Sequence, residues 1–462
     1  MPKSRTRSRA HPRKVVRGAT RPKPRARARR VDLPQLDPHS LPGAESVVRQ
    51  ELENGITVLV RENFLSPSVV IQGSLEIGGL DESETKAGLA GLASACLMRG
   101  TQSRDFHQIY EALESVGASL SFGSGMHTTT FYAHGLSEDF GSLANLAADA
   151  LRRPSFPAEQ LEKLRGEYLT HLAIRQEDTG DRAQLAFAEL AYAGHPYAHD
   201  EEGTAESIQG ITREEVIQFH GNGFGPRGMI ITIAGAVHSG RAMAMIEKYF
   251  ADWHNPNQPV RAALPVAPRL QQLAERRVEL PGKTQADLVI GVPGPARASA
   301  DFFPALIGNN ILGRFGLFGR IGEAVRESEG LAYYAFSSLA GGLGPGPWMA
   351  MAGVNPRNIE RALELIRREI GRFVQTKVTA LELTDNQASL IGRLPLQLES
   401  NEGVAAALMN VELYSLGLEY YQRFPGLVAG VTREDILETA RRYLHPDRLA
   451  VGIAGPLDEP KP

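Results

Sequence analysis

Two histidines lie four residues apart in His195-Pro196-Tyr197-Ala198-His199, and Asp200 follows directly. Imidazole and carboxylate groups are common zinc ligands, so these three residues are candidates for a metal centre. A spacing of four brings two rings together on a helix, however, and Pro196 with its flanking glycine predicts a loop. A metal-dependent enzyme that uses His195, His199 and Asp200 is therefore kept only as a minor alternative.

Other catalytic patterns are missing from the sequence. Cys96 is the single cysteine, which excludes an internal disulfide, and no Cys/His dyad or serine elbow has the required context. The glycine-rich stretch 341–347 contains Pro345 and Pro347, which lack the amide donors of a phosphate-binding loop. The sequence thus offers neither a nucleophilic centre nor a phosphate site.

The apolar segment 88–101, GLAGLASACLMRGT, has the pattern of a packed helix. It resembles the signature helix of the pitrilysin/insulinase-type (M16) zinc peptidases, in which the inverted motif His-x-x-Glu-His precedes a basic residue, Gly and Thr. The resemblance aligns the first zinc histidine with Gly91, the general-base glutamate with Ser94 and the second histidine with Ala95. Since a catalytic zinc needs three protein ligands, we expect this chain to bind no metal.

The same resemblance places the third zinc ligand of the family, a glutamate, at or near His171 and Leu172. Neither residue is a glutamate. Glu167 and Glu177 are close in sequence, but the helical repeat displaces them from the required face. The alternative interpretation is that the small residues of segment 88–101 simply allow close helix packing, which agrees with loss of the zinc site.

A second segment, Arg326-Glu327-Ser328-Glu329-Gly330-Leu331-Ala332-Tyr333, resembles the family's second-domain motif Arg-Glu-x-x-Gly-Leu-Ala-Tyr. The resemblance implies that Arg326 and Tyr333 reach the zinc site of a facing domain, where they hold the substrate and stabilise its oxyanion. A guanidinium and a phenol are suitable donors for a carbonyl oxygen that develops negative charge. The alternative is a surface arginine and a core tyrosine.

The elements that must position these residues form a repeat. Residues 210–217 (GITREEVI) match 430–437 (GVTREDIL), and the offset of 220 holds through Ile233-Ala234-Gly235 and Ile453-Ala454-Gly455. Strands are predicted at 55–60 and 68–77, paired as a hairpin, and helices include 161–175. The repeat predicts an α+β fold of two similar units, and the resemblance implies that these are two homologous M16-type domains, each with helices packed on a mostly antiparallel sheet. The predicted boundaries are a disordered basic tail 1–44, domains 45–254 and 276–458, and a proline-rich linker 255–275.

Charge is distributed unevenly along the 462 residues. Residues 1–30 contain 13 Lys and Arg and no acid, whereas residues 31–462 contain 37 Lys and Arg against 53 Asp and Glu. The preferred interpretation of the tail is a solvated extension, with nucleic acid or an anionic membrane surface as the alternative, and no nucleic acid is expected on the rest of the chain. The acidic body favours basic or unfolded peptides. No apolar run is long enough to span a bilayer and no signal peptide is recognised, so a cytoplasmic location is expected.

Within the M16 family, small members pair as heterodimers in which one subunit bears the zinc motif and the other the Arg/Tyr pair. We therefore expect a non-catalytic subunit that binds no cofactor itself, pairs with a zinc-motif-bearing homologue and supplies Arg326 and Tyr333 to a bound peptide. A catalytically silent structural subunit of a larger complex is the second hypothesis.

Overall fold

Runs of β-branched and small residues build two mixed sheets in the computed structural model, which describes residues 32–314 and 319–457. The first sheet has the strand order β1-β2-β6-β3-β5-β4 and the second β7-β11-β8-β10-β9. Each has one parallel pair, β2 with β6 and β7 with β11. The strands are β1 (Val48–Glu51), β2 (Thr57–Glu62), β3 (Ser68–Leu75), β4 (Ser119–Ser124), β5 (Thr129–Leu136), β6 (Ile230–Gly235), β7 (Ala274–Glu279), β8 (Ala286–Pro293), β9 (Ala332–Leu339), β10 (Pro347–Val354) and β11 (Ala450–Gly455).

Helices cover both sheets. In the described residues they are α1 (Leu89–Cys96), α2 (Phe106–Glu114), α3 (Phe140–Arg152), α4 (Ala158–Gln176), α5 (Thr179–Ala191), α6 (Ala205–Gly210), α7 (Arg213–Gly223), α8 (Ser239–Phe250), α9 (Phe302–Asn309), α10 (Arg320–Gly322), α11 (Ile359–Gln375), α12 (Ala380–Gln397), α13 (Asn401–Leu413), α14 (Tyr420–Ala429) and α15 (Arg433–Tyr443). Two π-helical turns, Asn310–Arg314 and Glu323–Glu327, flank α10. None of these helices combines the length and apolar content needed to cross a membrane.

The internal repeat is confirmed by the structure. Apart from β1, the strand orders of the two sheets correspond position by position. The matched sequences begin equivalent helices with the same capping box, because Thr212 accepts from the Glu215 amide and Thr432 accepts from the Asp435 amide. The chain therefore contains two homologous α+β units, and the domains 45–254 and 276–458 and the linker 255–275 remain predictions.

Each half contributes one helix that packs on the sheet of the other half. Helix α5 packs on the second sheet, where Ala183 and Phe187 join a buried cluster with Val289 and Ala450. Helix α13 packs on the first sheet, where the hydroxyl of Thr232 donates to the Ala405 carbonyl at 3.0 Å. The two halves thus bury one another's sheet faces.

Two sequence predictions require correction. The predicted hairpin of 55–60 with 68–77 is wrong, because β6 lies between β2 and β3 and pairs with both. The predicted disordered tail is too long. Leu41 is only 3% exposed and packs with Leu394 and Tyr420, because apolar residues after position 32 are buried against the second half. Residues 1–31 of that tail lie outside the described residues.

Candidate functional site

Helix α1 carries the three positions that the family resemblance aligns with the zinc motif. Gly91 and Ala95 are partly exposed on one side of the helix, whereas Ser94 is 1% exposed. The Ser94 hydroxyl donates to the Gly91 carbonyl at 2.9 Å, so its polar atom is already used within the helix. The side chains at these positions do not fit a zinc ion, because they present no ligand atom to one.

Helix α4 packs against this part of α1 and brings Tyr168 over Gly91. A Cβ atom added to Gly91 would lie 3.2 Å from the Tyr168 hydroxyl. Burial raises the pKa of Tyr168 to about 12, so its phenol stays protonated at neutral pH. The positions aligned with the third ligand do not compensate: His171 is exposed and pairs with Glu202 at 3.0 Å, and Leu172 is in the core.

The start of α1 is held by a buried carboxylate that the sequence did not reveal. Glu82, whose side chain is fully buried, accepts from the amides of Gly88 at 2.9 Å and Ala90 at 2.8 Å. It also pairs with Nε2 of His199 at 3.0 Å, and this hydrogen bond raises the pKa of His199. Gly88 has φ +88 in this cap, a conformation that favours glycine. His199 therefore serves the helix terminus.

His195 is turned away from His199 and Asp200. Its Nδ1 accepts from the Tyr197 amide at 3.1 Å, so the ring proton lies on Nε2, which donates to the Pro265 carbonyl at 3.1 Å. Asp200 instead pairs with Arg175 at 2.9 Å. The described residues contain no group of three or more His, Cys, Asp or Glu side chains suited to a metal ion. The minor alternative with these ligands has no support in the geometry.

Arg326 and Tyr333 lie in the second half, and both are open to solvent. Arg326 is on the π-helical turn Glu323–Glu327, with 43% of its side chain exposed and Glu327 at 3.9 Å as its ion-pair neighbour. Tyr333 is 74% exposed on β9, an edge strand. The exposure of Tyr333 contradicts the alternative interpretation, in which this tyrosine lies in the core. Neither side chain is hydrogen-bonded to the first half in the described part of the chain.

A β-bulge turns Tyr333 out of the sheet. In the pairing of β9 with β10, Tyr334 is opposite Gly353 and Ala332 is opposite Val354, which leaves Tyr333 as the extra residue. Bulges of this kind redirect a side chain and interrupt the pairing. A Cβ on Gly353 would lie 2.6 Å from the Tyr334 ring, so a glycine is needed where the strands cross this irregularity.

The neighbouring residue, Tyr334, points inward and anchors the bulge. Its hydroxyl donates to the carboxylate of Asp287, which is 3% exposed and also accepts from the Thr179 hydroxyl and the Gln285 amide. Burial, with this hydrogen bond, raises the pKa of Tyr334, so it remains a donor. Thr179 is the first residue of α5, so the hydrogen bonds to Asp287 connect β9 with this helix of the first half.

Sequence reasoning missed Asp287, Tyr334 and Glu82. The signal for Asp287 was a lone carboxylate in the otherwise apolar strand Ala286–Pro293, since a buried charge in such a strand requires partners. Nothing local marks Tyr334, because the bulge at Tyr333 interrupts the regular alternation of β9. Nothing local marks Glu82, because its partners come from α1 and from the loop that contains His199.

Comparison with known proteins matches both halves of the chain. Residues 57–204 match the model of insulinase (peptidase family M16), and residues 210–390 match the peptidase M16 inactive domain. An uncharacterized zinc protease of Streptomyces coelicolor is 25% identical over 90% of this chain and 91% of its own length. A probable mitochondrial-processing peptidase subunit beta of Schizosaccharomyces pombe is 23% identical over 91% of this chain and 93% of its own length.

Solved structures agree with the family models. The crystal structure of a peptidase M16 inactive domain from Pseudomonas fluorescens has a TM-score of 0.82 at 25% identity and covers 90% of this chain and 99% of its own. A protease from Helicobacter pylori has the same fold, with a TM-score of 0.80 at 17% identity and coverage of 90% and 100%. With two homologous domains, both matched by models of one peptidase family, this chain belongs to the M16 (pitrilysin/insulinase) family.

Proposed function

We propose that this chain is the non-catalytic subunit of a heterodimeric M16 peptidase and that it supplies Arg326 and Tyr333 to a peptide held in the zinc site of its partner. The observation that carries the proposal is an asymmetry between the two halves. The face of α1 that includes Gly91 and Ala95 offers no metal ligand, while the Arg/Tyr motif of the second half is intact and exposed.

The exposure of Tyr333 supports a role outside this chain. An aromatic side chain that is 74% exposed on an edge strand loses apolar burial, and the Asp287 and Tyr334 anchor keeps the strand in that irregular geometry. Because the backbone at Tyr333 is fixed in advance, less conformational entropy is lost when this side chain contacts a bound peptide. Zinc chemistry belongs to the partner in this proposal.

The interaction with substrate follows from the donor types. Arg326 carries a permanent positive charge and Tyr333 a neutral phenol, and both donate hydrogen bonds to a carbonyl oxygen whose negative charge grows during peptide hydrolysis. Donors fixed before the reaction stabilise this charge without rearrangement. The substrate is accordingly a peptide, and the acidic body favours basic or unfolded ones through its field.

Reconstitution tests the proposal. The full chain, a His-x-x-Glu-His-bearing homologue from the same organism, and an equimolar mixture are assayed on a quenched fluorescent peptide, with metal content measured for each. We expect substoichiometric zinc in this chain and hydrolysis that is far faster in the mixture than with either protein alone. A complex without any gain in activity would favour the second hypothesis, a silent structural subunit. Hydrolysis by this chain alone, with bound zinc, would overturn both.

A further inference from the structure

A cleft of about 840 Å³ has none of the motif residues used above in its lining. One wall is the linker segment 264–271, and the floor is formed by residues 292–296, which include the last two residues of β8. The other wall contains the end of α15 and the residues that follow it, up to Arg448. A volume of this size accommodates a drug-sized ligand or a short peptide segment.

Four arginines line the cleft, Arg269, Arg441, Arg442 and Arg448, together with the imidazole of His445. No Asp or Glu lines it. Arg442 is paired with Asp301, at 2.6 Å, whereas Arg269 and Arg448 form no ion pair within the described residues. In a body where acids outnumber bases, such a local surplus of cations creates a site complementary to carboxylates.

The walls are fixed by hydrogen bonds from the first half. Nε2 of His195 donates to the Pro265 carbonyl on the linker wall, and the Tyr192 hydroxyl donates to the Pro345 carbonyl at 2.7 Å. Tyr192 and His195 both belong to the segment around the His195-Pro196 loop. The cleft is therefore formed before any ligand arrives, which lowers the entropic cost of binding.

The rest of the lining is mostly apolar, and its polar side chains are Gln271, Ser299 and Tyr443. Val266 is 94% exposed and Leu343 is 41% exposed, and several prolines present ring surfaces without an amide donor. Recognition here must combine side-chain cations with apolar contact. A polynucleotide carries charge at every unit and offers no apolar side chains to this lining, whereas a peptide can alternate carboxylates with apolar residues.

We propose that this cleft binds an extended acidic peptide segment in which Asp or Glu alternates with apolar side chains. The carboxylates pair with Arg269 and Arg448, and the apolar residues contact Val266 and Leu343. The preference is opposite to that expected of the proposed peptidase chamber, so this site does not depend on the proposed function.

Fluorescence anisotropy of the full chain with a labelled peptide of alternating Glu and Leu tests the site. The double variant Arg269→Glu/Arg448→Glu should weaken binding by at least about tenfold, since two ion pairs become repulsive. Arg241→Glu, an exposed arginine on α8, is the control and should change affinity less than about twofold. A Lys/Leu peptide should not bind through the cleft, and added salt should weaken binding of the Glu/Leu peptide.

Because residues 1–30 are basic in every variant, a positional readout is added. A benzophenone-bearing Glu/Leu peptide should cross-link to 264–271 or to Leu343, as read by mass spectrometry. The proposal would be overturned by cross-links confined to the tail, by no binding at all, or by an equal loss of affinity in the double and control variants. Tighter binding of oligothymidylate or tripolyphosphate than of the peptide in the cleft would also overturn it.

Discussion

The hydroxyl of Tyr334 donates a hydrogen bond to the buried carboxylate of Asp287. Tyr334 directly follows Tyr333, the extra residue of the bulge, whose side chain is exposed to solvent. The two adjacent tyrosines thus have opposite environments, one bonded inside the fold and the other 74% exposed. This relationship separates the structural role of the segment from the functional role proposed for it.

Substitution of the two tyrosines should therefore affect stability differently. Tyr334→Phe removes one donor from the buried Asp287 carboxylate and should lower the free energy of unfolding by about 1–3 kcal/mol. Tyr333→Phe removes a hydroxyl that is in water and should stay within about 0.5 kcal/mol of wild type. Urea denaturation of both variants measures the difference, and equal effects would contradict the anchor.

The helix exchange between the halves predicts a sensitive glycine. A Cβ on Gly452 would overlap the Ala183 carbonyl and lie 2.6 Å from the Phe187 nitrogen, so Gly452→Ala should force α5 away from the second sheet. We expect a loss of about 2–4 kcal/mol or a failure to fold. Gly240→Ala, at a helical position with open space, is the control and should be neutral or slightly stabilising. A near-neutral Gly452→Ala would show that α5 does not pack in this way.

The cap on α1 predicts a strong dependence on one carboxylate. Glu82→Ala leaves two amides and His199 without their buried acceptor and should cost about 3 kcal/mol. Glu84→Ala, two residues away at an exposed position, should cost less than about 0.5 kcal/mol. Thermal unfolding compares the pair, and similar melting temperatures would refute the cap.

The His199 imidazole gives that cap a pH dependence. Its pKa is raised in the folded state by the Glu82 hydrogen bond, so its contribution to stability is complete below the unfolded value of about 6.5. The contribution is lost as the pH rises through the folded-state pKa. The melting temperature of wild type should thus exceed that of His199→Gln by more at about pH 5.5 than at about pH 9. A constant difference, or one that grows with pH, would contradict this assignment.

The sequence predicted the repeat, the fold class and the helix at 161–175, which lies within α4. The repeat follows from self-comparison of the sequence, and the helix from local apolar periodicity. The hairpin prediction failed because β6, more than 150 residues later in the chain, inserts between β2 and β3. Local sequence patterns also do not predict which sheet α5 or α13 packs against, because an apolar helix face can pack on either sheet.

Prediction of the site was similarly divided. The motif placed Gly91, Ser94 and Ala95 on one helix and Arg326 and Tyr333 on the far half, and the structure places all five in those elements. The Asp287 and Tyr334 anchor depends on contacts between distant segments, and the bulge at Tyr333 depends on how β9 and β10 pair. Neither can be read from residue spacing.

The most direct test of the central claim is the turnover rate of the reconstituted mixture with Arg326→Ala and Tyr333→Phe in this chain. Arg357→Ala and Tyr110→Phe, which remove the same groups from exposed positions elsewhere, are the matched controls, and complex formation is verified for all four. Loss of fixed oxyanion donors should lower kcat by roughly 100-fold or more in the first pair and leave the controls at the wild-type rate. If all four variants turn over like wild type while forming the complex, this chain does not contribute Arg326 and Tyr333 to its partner's site.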